Sequence, residues 1–80
     1  MNDIHEKVLE LIRETETIDD LDALTPETSL YTAGLDSLAG AQLMVMLEDA
    51  FDITFPQTAD TFTRFDTVGG ILELIGEARQ

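Results

Sequence analysis

Apolar residues recur at helical spacing in three stretches of the chain, and nowhere do they alternate long enough to make a strand. Ile4, Val8, Leu11 and Ile12 mark a first helix from Asp3 to Glu14, with Glu6, Lys7, Glu10 and Arg13 filling its other side. Asp3 and Glu6 form a D-x-x-E capping pattern at its start. A second helix opens at Ser37 and runs to about Phe51 through a run of good helix formers, Leu38 to Ala50. Gly34 supplies flexibility before it, Asp36 or Ser37 can cap it, and Asp52 and Pro56 lead the chain out. A last helix starts at Thr67 or Val68 and ends at Ala78. Its stripe is Val68, Ile71, Leu72 and Ile75, with Leu74 beside them, and Asp66 or Thr67 caps it. Gly69 and Gly70 each weaken its first turn by about 1 kcal/mol relative to Ala, a cost that close packing there would offset. A short, Thr-rich third element lies between Gln57 and Phe65, while Ile53-Thr54-Phe55 is too brief for a strand.

The connection from Thr15 to Asp36 has no clean period, and long connections of this kind are often functional. Ile18, Leu21, Leu24, Leu30 and Tyr31 are spread along it and serve as pins across the helices, with room for a helical turn after Pro26. The whole predicts an all-α fold, a small helical bundle in a single domain over residues 1–80.

Composition narrows the chemistry. Four Lys and Arg against 17 Asp and Glu give a formal charge of −13. Such a surface repels nucleic acid and anionic lipid and attracts basic patches on other proteins, although the same carboxylates would also simply keep a small domain soluble. There is no cysteine and a single histidine, His5, so disulfides and His or Cys zinc sites are excluded. The 44% hydrophobic content leaves apolar packing to supply the stability. The expected setting is soluble and cytoplasmic, with no signal peptide and no membrane span. Ser37, His5 and an Asp make a poor triad without a G-x-S-x-G elbow or a sheet. Asp19, Asp20 and Asp22 lack the calcium-loop pattern and read as a solvated acidic loop.

Leu30-Tyr31-Thr32-Ala33-Gly34-Leu35-Asp36-Ser37-Leu38, followed by Glu48-Asp49-Ala50-Phe51-Asp52-Ile53-Thr54-Phe55-Pro56, resembles the acyl carrier and peptidyl carrier protein family over nearly the whole chain. The resemblance implies a four-helix bundle with a long loop between helices 1 and 2 and a short third helix. It implies that Ser37 is the attachment site of 4′-phosphopantetheine, transferred from coenzyme A by a phosphopantetheinyl transferase that recognises Asp36. The arm's thiol would carry acyl or aminoacyl cargo as a thioester, which explains how a chain without cysteine does thiol chemistry. A loading enzyme and a downstream synthase or transferase are the further partners implied, with the carrier itself a monomer and not an enzyme. Physically, a helix N-terminus suits a phosphodiester, although Ser37 in that place also reads as an ordinary cap.

Leu43, Met44, Leu47 and Phe51 are spaced to face the bundle, with Met44 and Met46 filling gaps. Leu38, Ala41 and Val45 form another stripe, either more core or, with Glu48, the partner-docking surface that the resemblance implies. Ala39, Gln42 and Ala50 stand where carriers of fatty acid synthesis often have acidic residues, and Arg64, Phe55, Phe62 and Phe65 crowd a slightly long stretch before the last helix. These departures suit a dedicated carrier for a secondary metabolite (polyketide or nonribosomal peptide), a special lipid or an aminoacyl group. An acidic interaction domain that keeps the fold but no cofactor is the alternative.

Overall fold

The apolar stripes assemble as the spacing predicts. A computed structural model describes residues 3–79, with α1 at Asp3–Glu14, α2 at Leu30–Ala33, α3 at Ser37–Phe51, α4 at Ala59–Arg64 and α5 at Val68–Ala78. The described residues contain no strand. Helix α1 packs against both α3 and α5, and α4 packs against α5. Val8, Ile12, Leu43, Leu47, Ile71 and Ile75 are fully buried between them. Phe55 and Phe65 close the end of the core edge-to-face, with ring centroids 6.2 Å apart. Asp3 lies within α1, where it and Glu6 place negative charge in the first turn, and the capping of this helix lies outside the described residues.

The long connection is held down at several points. Ile18 and Leu30 are buried, and Leu21 and Leu24 pack partly against the core, the former opening a single 3-10 turn at Leu21–Ala23. Tyr31 is the exception among the expected pins: it stays 43% exposed and its hydroxyl approaches Gly40 of α3. The helical turn expected after Pro26 forms as α2. Ser29 caps it by accepting from the Thr32 N–H at 3.2 Å, and Ser29 also donates to the Asp66 carboxylate at 2.9 Å. Asp66 additionally accepts from the Tyr31 N–H, while the Leu30 N–H reaches the Asp66 carbonyl at 2.6 Å. The turn between α4 and α5 thereby fixes α2 beside the head of α3.

Threonine makes the third element a helix rather than opposing it. Thr58 caps α4 by accepting from the Thr61 N–H, and the buried Thr61 hydroxyl pairs with that of Thr58 at 3.2 Å. Thr67 caps α5 through the Gly70 N–H at 2.9 Å. A Cβ on Gly70 would collide with the backbone carbonyl of Arg64, so this glycine is required by the close approach of the two helices. Arg64 joins the same pair from outside, bonding Glu73 at 3.2 Å and Glu77 at 2.5 Å on α5 and Asp60 at 3.4 Å on α4. No helix of the described residues is long and apolar enough to cross a membrane.

Candidate functional site

Gly34 decides how the chain enters α3. Its φ is +136°, and a Cβ there would strike the Thr17 carbonyl, so the residue provides a fixed turn rather than flexibility. The Gly34 and Leu35 N–H groups both donate to the Leu30 carbonyl, at 3.1 and 2.9 Å, which closes α2 in a Schellman-like turn. Leu35 is thereby driven into the core, and Asp36 and Ser37 emerge on the surface immediately after it.

The cap of α3 is Asp36. Its backbone is extended, and its carboxylate accepts from the Ala39 N–H at 2.7 Å. Ser37 is therefore the first helical residue and has no capping work. It is exposed, and its hydroxyl makes no hydrogen bond among the described residues. The Ser37 and Leu38 N–H groups are likewise without an acceptor there. A free hydroxyl beside two unpaired N–H groups at the positive end of a helix of 15 residues is suited to hold a phosphodiester. The Asp36 carboxylate opposes that attraction, so the field at Ser37 is moderated rather than strongly positive.

The two stripes of α3 separate cleanly. Leu43, Met44 and Leu47 are buried and Phe51 is half-buried, whereas Leu38 is 70% and Val45 63% exposed, with Ala41 exposed between them. The second stripe is thus surface and not core, and Met46, half-buried, packs against the core as the gap-filling reading expects. Glu48 behaves differently from the other docking candidates. It is half-buried, and its carboxylate accepts from the Phe55 N–H at 2.8 Å, holding the turn in which Asp52 adopts a left-handed conformation with φ 55°.

Beside Ser37, which lines it, lies a groove of about 530 Å³ lined also by Tyr31, Met44, Val45, Gln57, Phe62 and Phe65. Sequence periodicity does not reveal it, because its walls come from α2, α3, α4 and the residues flanking α4, and no one stripe unites them. Phe62, exposed on α4, is the clearest signal in retrospect, since nothing in the core requires it. His5 lies half-buried in α1. Asp19, Asp20 and Asp22 are exposed, and among the described residues no group of three or more His, Cys, Asp or Glu is placed to hold a metal ion.

Residues 6–75 match the family model described as "Phosphopantetheine attachment site". The chain belongs to the phosphopantetheine-binding carrier family. Its cofactor is accordingly covalent 4′-phosphopantetheine, and like other carriers it is not an enzyme. Among curated proteins this carrier is similar to the aminoacyl carrier protein of Agrobacterium fabrum, with 38% identity over 55 residues, which cover 69% of the chain and 66% of that protein. The chain thus spans about two thirds of the length of that relative. Among solved structures the carrier resembles a crystal structure of engineered Bradyrhizobium japonicum glycine:[carrier protein] ligase complexed with a carrier protein from Agrobacterium tumefaciens and ATP. The TM-score is 0.82 at 29% identity, covering 92% of this chain and 97% of the matched one. The all-helical carrier fold expected from the resemblance is the fold found, with α2 as an additional turn inside the long loop.

Proposed function

We propose that Ser37 is the residue that bears the phosphopantetheine arm, and that the carrier presents an acyl group, most fittingly an aminoacyl group, as a thioester on the arm's thiol. The observation that carries this reading is the division of labour at the head of α3: Asp36 takes the cap and leaves the Ser37 hydroxyl exposed and unbonded. In the transfer, Ser37 Oγ gives its proton to the transferase or to water and bonds to the phosphorus that bears the pantetheine, the pyrophosphate P–O bond of coenzyme A breaks, and adenosine 3′,5′-bisphosphate departs. The arm then supplies the sulfur that the chain lacks. Asp36 is the residue the transferase would read next to its target. Leu38, Ala41 and Val45 offer an apolar strip beside the serine for a loading enzyme and for the enzyme that receives the cargo, while Glu48 contributes charge only at the strip's inner edge. The likeness to an aminoacyl carrier and to a carrier bound by a glycine ligase supports an ATP-dependent aminoacyl ligase as the loading partner.

Intact-mass measurement after incubation with coenzyme A and a phosphopantetheinyl transferase tests the reading. The native chain gains the mass of one phosphopantetheine and Ser37→Ala gains nothing. An unmodified native chain that is folded by circular dichroism would leave an acidic interaction domain as the function.

A further inference from the structure

Glu48 is placed where the carried group would arrive. Ser37 and Glu48 lie on the same helix, eleven residues apart, which corresponds to roughly 16 Å of axial rise. The arm has about fourteen bonds between Ser37 Oγ and its sulfur. At the reach per bond of an extended peptide it also spans roughly 16 Å. Both residues line the same groove, so an arm anchored at one end and laid along α3 brings its thioester to Glu48 and Gln57 at the other. The groove is apolar between these ends, where Gly40, Met44 and Val45 form its length. Its volume of about 530 Å³ lies in the range of sites for drug-sized ligands, enough for the arm with a small group but not with a long acyl chain as well.

The far end differs from the rest in chemistry. Phe55 N–H donates to one Glu48 oxygen, and the second takes part in no hydrogen bond among the described residues. Gln57 lines the same groove, its amide nitrogen donating to the Phe55 carbonyl at 3.2 Å and lying 3.9 Å from the Met44 sulfur. A half-buried carboxylate with a spare oxygen favours a cation over a neutral methyl group. We infer that the groove seats the arm of the loaded carrier, and that Glu48 receives the α-ammonium of a small aminoacyl cargo. Glu48 thereby makes the carrier discriminate between aminoacyl and plain acyl loads. This rests on attachment at Ser37.

The test uses the full chain loaded through a transferase with two stable amide analogues of the arm, one glycyl and one acetyl, and reads backbone amide shifts by NMR. The mass gain on loading comes first: a native chain that takes neither analogue overturns both the attachment reading and this inference. With loading established, the glycyl form is expected to shift the Phe55 and Gln57 amides beyond the acetyl form. Glu48→Gln, which keeps an oxygen for the Phe55 N–H, is expected to remove that difference when chains brought to full loading, as read by mass, are compared. The glycyl amine of the native chain should also titrate at higher pH than that of the Glu48→Gln chain. Shifts confined to the neighbours of Ser37, or equal shifts for both loads, would overturn the inference and leave the attachment reading standing. Should Glu48→Gln lose helicity, the glycyl–acetyl comparison and the amine titration in the native chain decide alone.

Discussion

Asp36 and Ser37 have interchangeable chemistry as helix caps, and only the backbone tells them apart. Both side chains accept hydrogen bonds from N–H groups at a helix start, so the sequence leaves the cap undecided between them. The extended conformation of Asp36 and its bond to Ala39 settle it. This gives two substitutions with opposite signatures. Asp36→Ala removes a used cap and should cost about 1 kcal/mol in urea unfolding. Ser37→Ala removes an exposed, unbonded hydroxyl and should change stability by less than about 0.5 kcal/mol, while abolishing the mass gain on modification. Equal losses for the two would mean that Ser37 shares the cap. Glu48 carries a similar lesson. Its charge and position suggested a docking role from sequence, but the bond to Phe55 depends on a turn seven residues away in sequence and has no local signal. Glu16 and Asp52 hold left-handed conformations at helix ends without being glycine. Such a conformation costs an L-residue about 1 kcal/mol or slightly more, so Glu16→Gly should raise stability by a comparable amount less the extra chain entropy of glycine, readable as a higher urea midpoint at unchanged slope.

At the scale of elements, the long helices were legible because their apolar spacing is sustained, while the short ones were legible only as places, a Thr-rich third element and a turn after Pro26, and not by period. Helix α2 spans four residues, which is about one turn and too few to show a period. What stabilises it is Asp66, thirty-seven residues from Ser29, a contact no window along the chain contains. The paired glycines of α5 were legible as a propensity cost that close packing would offset, and at Gly70 that packing is found. Gly70 lies against the Arg64 carbonyl, so Gly70→Ala should gain about 1 kcal/mol of helix propensity yet lose about 1–3 kcal/mol to overpacking, a net loss visible in thermal unfolding. Arg64 links the same two helices electrostatically. Its hydrogen bond holds the Glu77 carboxyl below the usual carboxylate range, with desolvation working against it and the guanidinium charge adding to it. A depressed folded value means that the link stabilises α4 above the ordinary carboxylate range and is lost as pH falls through the lowered value. Amide exchange in α4, taken relative to the intrinsic rate at each pH, should therefore accelerate at acidic pH in the native chain. In Arg64→Ala it should already be faster at neutral pH, with a weaker dependence on acid. Because the pair is exposed, the effect is expected to stay local to α4 and to leave the global midpoint nearly unmoved.

At the scale of the whole molecule, the charge of −13 is confined within extents of 32 × 30 × 20 Å. At about 10 mM salt the screening length is about 30 Å, so every carboxylate acts on every other; at about 150 mM it falls to about 8 Å and only neighbours interact. Unfolding relieves this repulsion, since the radius of gyration of 11.4 Å grows to about 28 Å for a disordered chain of this length. The Arg64 cluster works in the opposite sense, but exposed pairs contribute no more than about 1 kcal/mol and are screened as well. Repulsion among 17 carboxylates facing four basic side chains should prevail. Added salt is therefore expected to raise the melting temperature of the isolated carrier. The same field draws a basic partner surface towards the molecule, so added salt should slow association with a loading or modifying enzyme. Both trends come from one charge distribution and must run in opposite directions. Thermal unfolding and stopped-flow binding across the same salt series check them together. A melting temperature that falls with salt would show that attractive pairs, and not net charge, control the stability of the free carrier. An association rate indifferent to salt would place partner recognition on the apolar strip of Leu38, Ala41 and Val45 alone.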